Sequence, residues 1–218
     1  MKVKKTIQAF TICIAVILSL VVPTVKVYAA GGQCAEASCS GIYDNGFCSK
    51  CGGYEEPKVV SGSHYSQLNG THAGYYAIEN AGQLYWFSKA VNEGNVKIKG
   101  VLVSDIEVNE DVLDDSGILN SGKTDEFIEW TPIGTSKYFE GFFDGNNHSV
   151  SGLYCVSNIE NIGLIGVALN ATIKNVSVVD SYIKGINVDH SIGGIVAECV
   201  KSDVVNCYNY SMVSLWNN

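Results

Sequence analysis

The sequence predicts an all-β fold wound as a solenoid of stacked coils, entered through one amphipathic helix and preceded by a small cysteine module. Three observations carry this prediction. Ile162-Gly163-Leu164-Ile165-Gly166 returns at a shift of 30 as Ile192-Gly193-Gly194-Ile195-Val196. Ile173-Lys174-Asn175-Val176 returns at a shift of 31 as Val204-Val205-Asn206-Cys207. From Lys97 onward, apolar and polar residues alternate with the two-residue period of a strand. A repeat of this length, built from β-branched runs with Gly and Asn corners, belongs to stacked coils. Helical solenoids of similar period need 3.6-residue spacing, which these segments lack.

The composition suits a folded, exported chain of one or two domains. Of 218 residues, 46% are hydrophobic and 17% charged, against a usual charged share of about 25%. That excludes intrinsic disorder. The 14 basic residues are all lysine, and the net charge is −8. A polyanion is repelled by that balance, so nucleic acid is not expected as a partner.

Residues 1–30 read as a secretory signal. Lys2, Lys4 and Lys5 make a positive start, and Phe10 to Val22 is an apolar run of 13 residues, short of the roughly 20 needed to span a bilayer. Val27-Tyr28-Ala29 offers a small-residue cleavage pattern. Cys13 lies inside the apolar run and Cys34 follows Gly31-Gly32-Gln33, so no lipid anchor is expected. Cleavage removes four lysines and no acids, leaving 10 lysines against 22 acids, a mature charge of −12 and no membrane span.

Residues 31–56 hold Cys34, Cys39, Cys48 and Cys51. The Cys48-Ser49-Lys50-Cys51-Gly52-Gly53 turn can aim two thiolates at one cation, and two such turns would hold structural zinc in a closed tetrahedron. The segment resembles a minimal zinc ribbon, with a shorter middle loop. We assign these four cysteines to structural zinc, with two disulfides as the alternative in an oxidising exterior. Either way they staple a module too small to bury a sufficient core. Residues 57–74, with Pro57, Gly62, Ser63 and Asn69-Gly70, read as a linker.

Asn80-Ala81-Gly82-Gln83 has the form of a capping box. Leu84, Phe87, Ala90 and Val91 behind it fall on one helical face, and Gly94 is placed to end the helix. Tyr85 and Trp86 are expected to pack beside that stripe. Ile98, Gly100, Leu102, Ser104, Ile106 and Val108 then share one face of a strand. Asn109 to Glu129 reads as a solvated loop, its acids lacking the spacing of a calcium loop. At the corners, Asn tolerates left-handed geometry and can bond the next coil, so Asn175 and Asn206 are candidate rungs of an asparagine ladder. Cys207 takes the place of inward Val176, and Cys155 and Cys199 are read in the same way, as small buried hydrophobes.

Trp130-Thr131-Pro132-Ile133-Gly134, the run from Phe139 through Phe143-Asp144-Gly145-Asn146-Asn147 to Leu153, and Gly163-Leu164-Ile165-Gly166 resemble the GLUG-repeat surface proteins of bacteria. With Tyr75 to Val108 the resemblance extends over most of residues 75–218. It implies a right-handed parallel β-helix, exported and adhesin-like; related regions also precede the catalytic domain of immunoglobulin A1 metalloproteases. Gly194-Ile195-Val196-Ala197 departs from the pattern by losing its final glycine, so a wider corner is expected there.

Enzymatic motifs are missing. The four histidines (His64, His72, His148, His190) do not form HExxH, no G-x-S-x-G is present, and no arginine is available as a base. Asp105, Glu107 and Asp144 could line one coil face as glycosidase carboxylates, but Asp144-Gly145-Asn146-Asn147 is more simply a turn, with His148 beside it at the surface. The expectation is therefore a non-catalytic, secreted or cell-surface module that binds an extracellular glycan or protein. Tyr75, Tyr76, Tyr154, Tyr182, Tyr208 and Tyr210 are offered as contacts. The alternatives are a fragment of a larger secreted hydrolase, since Ser214-Leu215-Trp216 falls in mid-repeat, or a structural spacer.

Overall fold

The computed structural model describes residues 41–62, 65–186 and 191–215. The signal segment 1–30, Cys34, Cys39, His64 and His190 lie outside these residues. The described residues open on a hairpin of β1 (Tyr43–Asp44) and β2 (Phe47–Cys48). Asn45 and Gly46 turn it at φ of 45° and 77°, as a two-residue primed turn requires. β3 (Lys58–Val59) runs antiparallel to β4 (Tyr76–Ile78), with α1 (Asn69–His72) between them in the chain. α2 (Ala81–Asn92) links β4 to β5 (Lys99–Leu102), and the two strands pair in parallel as a βαβ unit.

Beyond α2 the strands are short and recur in order. β5 and β6 (Ile106–Glu107) precede the long loop. One lap holds β7 (Phe142–Asp144), β8 (Ser149–Ser151), β9 (Tyr154–Ser157), β10 (Asn161–Ile162) and β11 (Ile165–Leu169). The next holds β12 (Thr172–Lys174), β13 (Ser177–Gly185), β14 (Ser191–Ile192) and β15 (Val196–Val200). β16 (Asp203–Val205) and β17 (Tyr208–Leu215) follow.

The fold is mostly β, and each lap pairs in parallel with the one before. The six-stranded sheet runs β16-β12-β7-β5-β4-β3, a second runs β17-β13-β8-β6 with β9 also on β13, and β11-β15 and β10-β14 make two more. Ile162 stands against Ile192 and Ile173 against Val204, the pairs that the repeats select. One slip separates them. Ile165 pairs with Val196, not Ile195, because Gly193 and Gly194 together fill the corner that Gly163 fills alone.

The inward positions make one continuous core, including Phe143, Val150, Cys155, Ile162, Ile165, Ile173, Val178 and Ile183. α2 lays its Leu84–Phe87–Val91 face on this core, with Phe87 5.8 Å from Phe143 and 6.0 Å from Phe139. A Cβ at Gly100 would stand 2.9 Å from the Phe87 ring, so this crossing needs glycine. Asn80 Oδ1 accepts from Gln83 N–H, and Gln83 Oε1 reaches back to Glu79 N–H, one residue beyond the usual box.

Two stretches read as peripheral are packed in. Residues 57–62 and 65–74 form a strap over the outer face of the six-stranded sheet, with Val60 and Leu68 buried on Ala77 and Val101. The β1–β2 hairpin docks on the start of α2: Asn45 Oδ1 accepts from Ala81 N–H, Asn45 Nδ2 donates to Glu107 O, and Phe47 lies 5.3 Å from Tyr85. The loop after β6 is closed at its mouth by buried Asn109, which donates to Ile128 O and Gly152 O and accepts from Ile128 N–H. Among the described residues no helix is long and apolar enough to cross a membrane.

Candidate functional site: a polar and aromatic cluster on the outer sheet face

The side chains of β7 alternate, so Phe143 enters the core while Phe142 and Asp144 stand on the outer face. The strap covers Asp144, which is 3% exposed. Its carboxylate is fully engaged. Oδ2 lies 2.8 Å from His72 Nε2 and 3.1 Å from Lys174 Nζ, while Oδ1 accepts from Asn146 N–H at 2.9 Å and Asn175 Nδ2 at 3.0 Å. His72 Nδ1 stands 2.7 Å from Thr71 Oγ1, and its ring meets Tyr75 edge-on at 5.1 Å. Burial alone would raise the Asp144 pKa. The hydrogen bonds from His72, Asn146 N–H, Asn175 and Lys174 outweigh it and hold the carboxyl below its ordinary range.

The asparagine ladder starts on this carboxylate. Asn175 donates to Asp144, and Asn206 Nδ2 donates to Asn175 Oδ1 at 3.2 Å. Both asparagines are left-handed, at φ of 54° and 52°. At the matching corner below, Gly145 lies so close to the backbone of Asn175 and Val176 that a side chain would collide with it.

The structure separates the three acids considered as a catalytic set. Asp105, exposed at the β5–β6 corner, accepts from Ser149 N–H and Oγ and lies 3.4 Å from His148 Nδ1. The Ser149 backbone bond is the main reason its pKa is lowered. Glu107 is exposed on β6. A general acid needs a raised pKa; Asp105 and Asp144 are both held down.

The other candidates are scattered. Tyr76 packs on Trp86 at 5.1 Å, and Tyr154 stacks on Tyr182 at 6.2 Å with Phe127 beside it. Tyr208 and Tyr210 are exposed on β17. Cys155 is buried, and burial pushes its thiol up to about 12. Cys207 is half-buried. Cys199 differs from expectation: it stands exposed against buried Ala168, since β15 is the last strand of its pair. Of the cysteine set, Cys48 is buried on β2 and Cys51 exposed on the following turn, which Gly52 closes at φ 66° with its N–H on Cys48 O. Cys34 and Cys39 lie outside the described residues.

Sequence reasoning missed His72, Lys99 and Lys174. His72 is 72 positions from Asp144 and sits in a stretch without a motif. Only the strap brings it there.

No protein-family model and no curated protein matches the sequence. Among solved structures, one described as a putative immunoglobulin A1 protease from Bacteroides ovatus is similar at 21% identity with a TM-score of 0.44. The match covers 64% of this chain and 38% of that one.

Proposed function

We propose that this chain is an exported, right-handed parallel β-helical module that binds an extracellular glycan or protein and performs no chemistry of its own. The observation that carries this reading is the state of Asp144. Of the three acids considered for hydrolysis, Asp144 is the buried one; it accepts four hydrogen bonds and joins the strap to the ladder. It is a pin. The parallel strands present outward rows of side chains, and the β4–α2–β5 crossover favours the right-handed winding that parallel connections adopt almost without exception. Structural zinc on Cys34, Cys39, Cys48 and Cys51 completes the reading; the tight Cys48–Gly53 turn suits a metal-holding loop.

The test is a paired screen of the mature chain against glycan and host-protein arrays and against a polysaccharide hydrolysis panel. Saturable binding without turnover is expected. Hydrolysis that Asp144→Asn abolishes in a folded protein overturns the reading.

A further inference from the structure

The outer sheet face carries a small surface that the fold does not consume. Phe142 on β7 is 40% exposed. Half-buried Tyr75, at the end of the strap, lies 6.4 Å from it, tilted by 48°. Lys99 pairs with Phe142 in register on β5 and holds its ammonium 5.1 Å from the Phe142 centroid and 5.5 Å from that of Tyr75. Among the described residues, no carboxylate lies within 4.0 Å of that ammonium. The rings order the charge without neutralising it. On the next strand, Lys174 shares the face, two residues beyond Thr172, the partner of Phe142. Its side chain is 44% exposed despite the contact with Asp144.

A partly exposed ring with one ammonium over it and a second, half-exposed lysine on the neighbouring strand suits a ligand with an apolar face and an anionic edge. A pyranose offers its C–H face to a ring, and a carboxylate at its rim meets ammonium groups. The charge of the mature chain, −12, works against a long polyanion. At physiological salt that field is screened within about 8 Å, so a single carboxylate responds to the two nearby lysines.

We propose that this surface binds a uronic-acid residue of an extracellular glycan, its ring stacked on Phe142 and Tyr75 and its carboxylate paired with Lys99 and Lys174. This rests on the binding reading above and names its ligand class.

The experiment titrates the mature chain with a glucuronate-terminated oligosaccharide and with its carboxyl-reduced neutral twin, by calorimetry and ligand-observed NMR. The acid is expected to bind about tenfold tighter, the worth of one charge-assisted hydrogen bond, with the gap narrowing at high salt. Lys174→Gln also strips a partner from Asp144, so Lys99→Gln, whose ammonium touches rings, is the decisive variant. It should close most of the gap and lower the melting temperature by no more than about 2–4 °C, the worth of an exposed cation–π contact, while Phe142→Ala weakens both sugars. Equal affinity of the twins, a gap that survives Lys99→Gln, or equally tight binding of polyglutamate overturns the proposal. If these sugars fail while another glycan or protein from the arrays binds, the ligand class is wrong and the binding reading stands. Silence across every ligand overturns both.

Discussion

Phe143, Ile173 and Val204 stand in one column, joined by the same parallel pairing on either side of β12. The first two are 0% exposed and Val204 is 42% exposed. Ile183 and Val213 repeat the contrast at 0% and 38%. Both the pairing and the packing differ: β7 is paired on both edges, by β5 and β12, while β16 is paired among the described residues by β12 alone. Phe143 has Phe87 of α2 on one side and Ile173 on the other, whereas Val204 has a neighbour on one side among the described residues. Pairing therefore fixes register throughout, while burial concentrates stability between α2 and strands β12 and β13.

The largest expected effect follows from that contrast. Phe143→Ala should cost about 3–5 kcal/mol, the range for truncating a buried aromatic. Val204→Ala, already half in water, should cost about 1 kcal/mol or less. Chemical denaturation of the mature chain measures both. Equal losses would break the comparison by showing that Val204 is covered in solution.

Polar groups repeat the pattern on the outer face. Asp144 lies under the strap, while Asp105 holds Ser149 and His148 in the open. His72→Ala leaves the buried carboxylate with one partner fewer, and should cost about 1–3 kcal/mol. Asp105→Asn, at the surface, should stay within about 0.5 kcal/mol. The pH dependence has a definite sign. The pKa of Asp144 is depressed on folding, so its contribution is present above the ordinary value of 3.8 and is lost as pH falls through the lower folded value. Melting curves from pH 6 downward should steepen less in Asp144→Asn than in the parent. An identical acid profile would show that the strap does not depend on this carboxylate.

These contrasts also mark what the sequence could and could not disclose. The repeats at Ile162/Ile192 and Ile173/Val204 are local strings, and each stands in register as the strings pair them. The cap at Asn80 and the left-handed Asn175 and Asn206 were legible because a few adjacent residues determine them. The strap was not. Val60, Leu68 and His72 are spaced without period among Gly, Ser and Asn, and gain meaning only once Ala77, Val101 and Asp144 form a face for them to cover. The Gly193-Gly194 corner hid its slip, since two adjacent glycines can align with Gly163 in either of two ways. Tertiary packing decided both.

The ladder offers a finer comparison, where a rung with a neighbour on each side can be set against one with a single neighbour. Asn175 donates to Asp144 and accepts from Asn206; Asn206 has only that second bond within the ladder. Alanine at either position also meets the left-handed penalty, about 1–2 kcal/mol, that asparagine partly avoids. Glycine removes that penalty and leaves the hydrogen bonds as the difference. Asn175→Gly should then cost about 1 kcal/mol and Asn206→Gly about half as much, each net bond being worth roughly 0.5–1.5 kcal/mol. The double variant should fall short of the sum, because the bond between the two is lost in either single change. Strict additivity would mean that the rungs act separately, each held by its own corner and not by the residue one lap away.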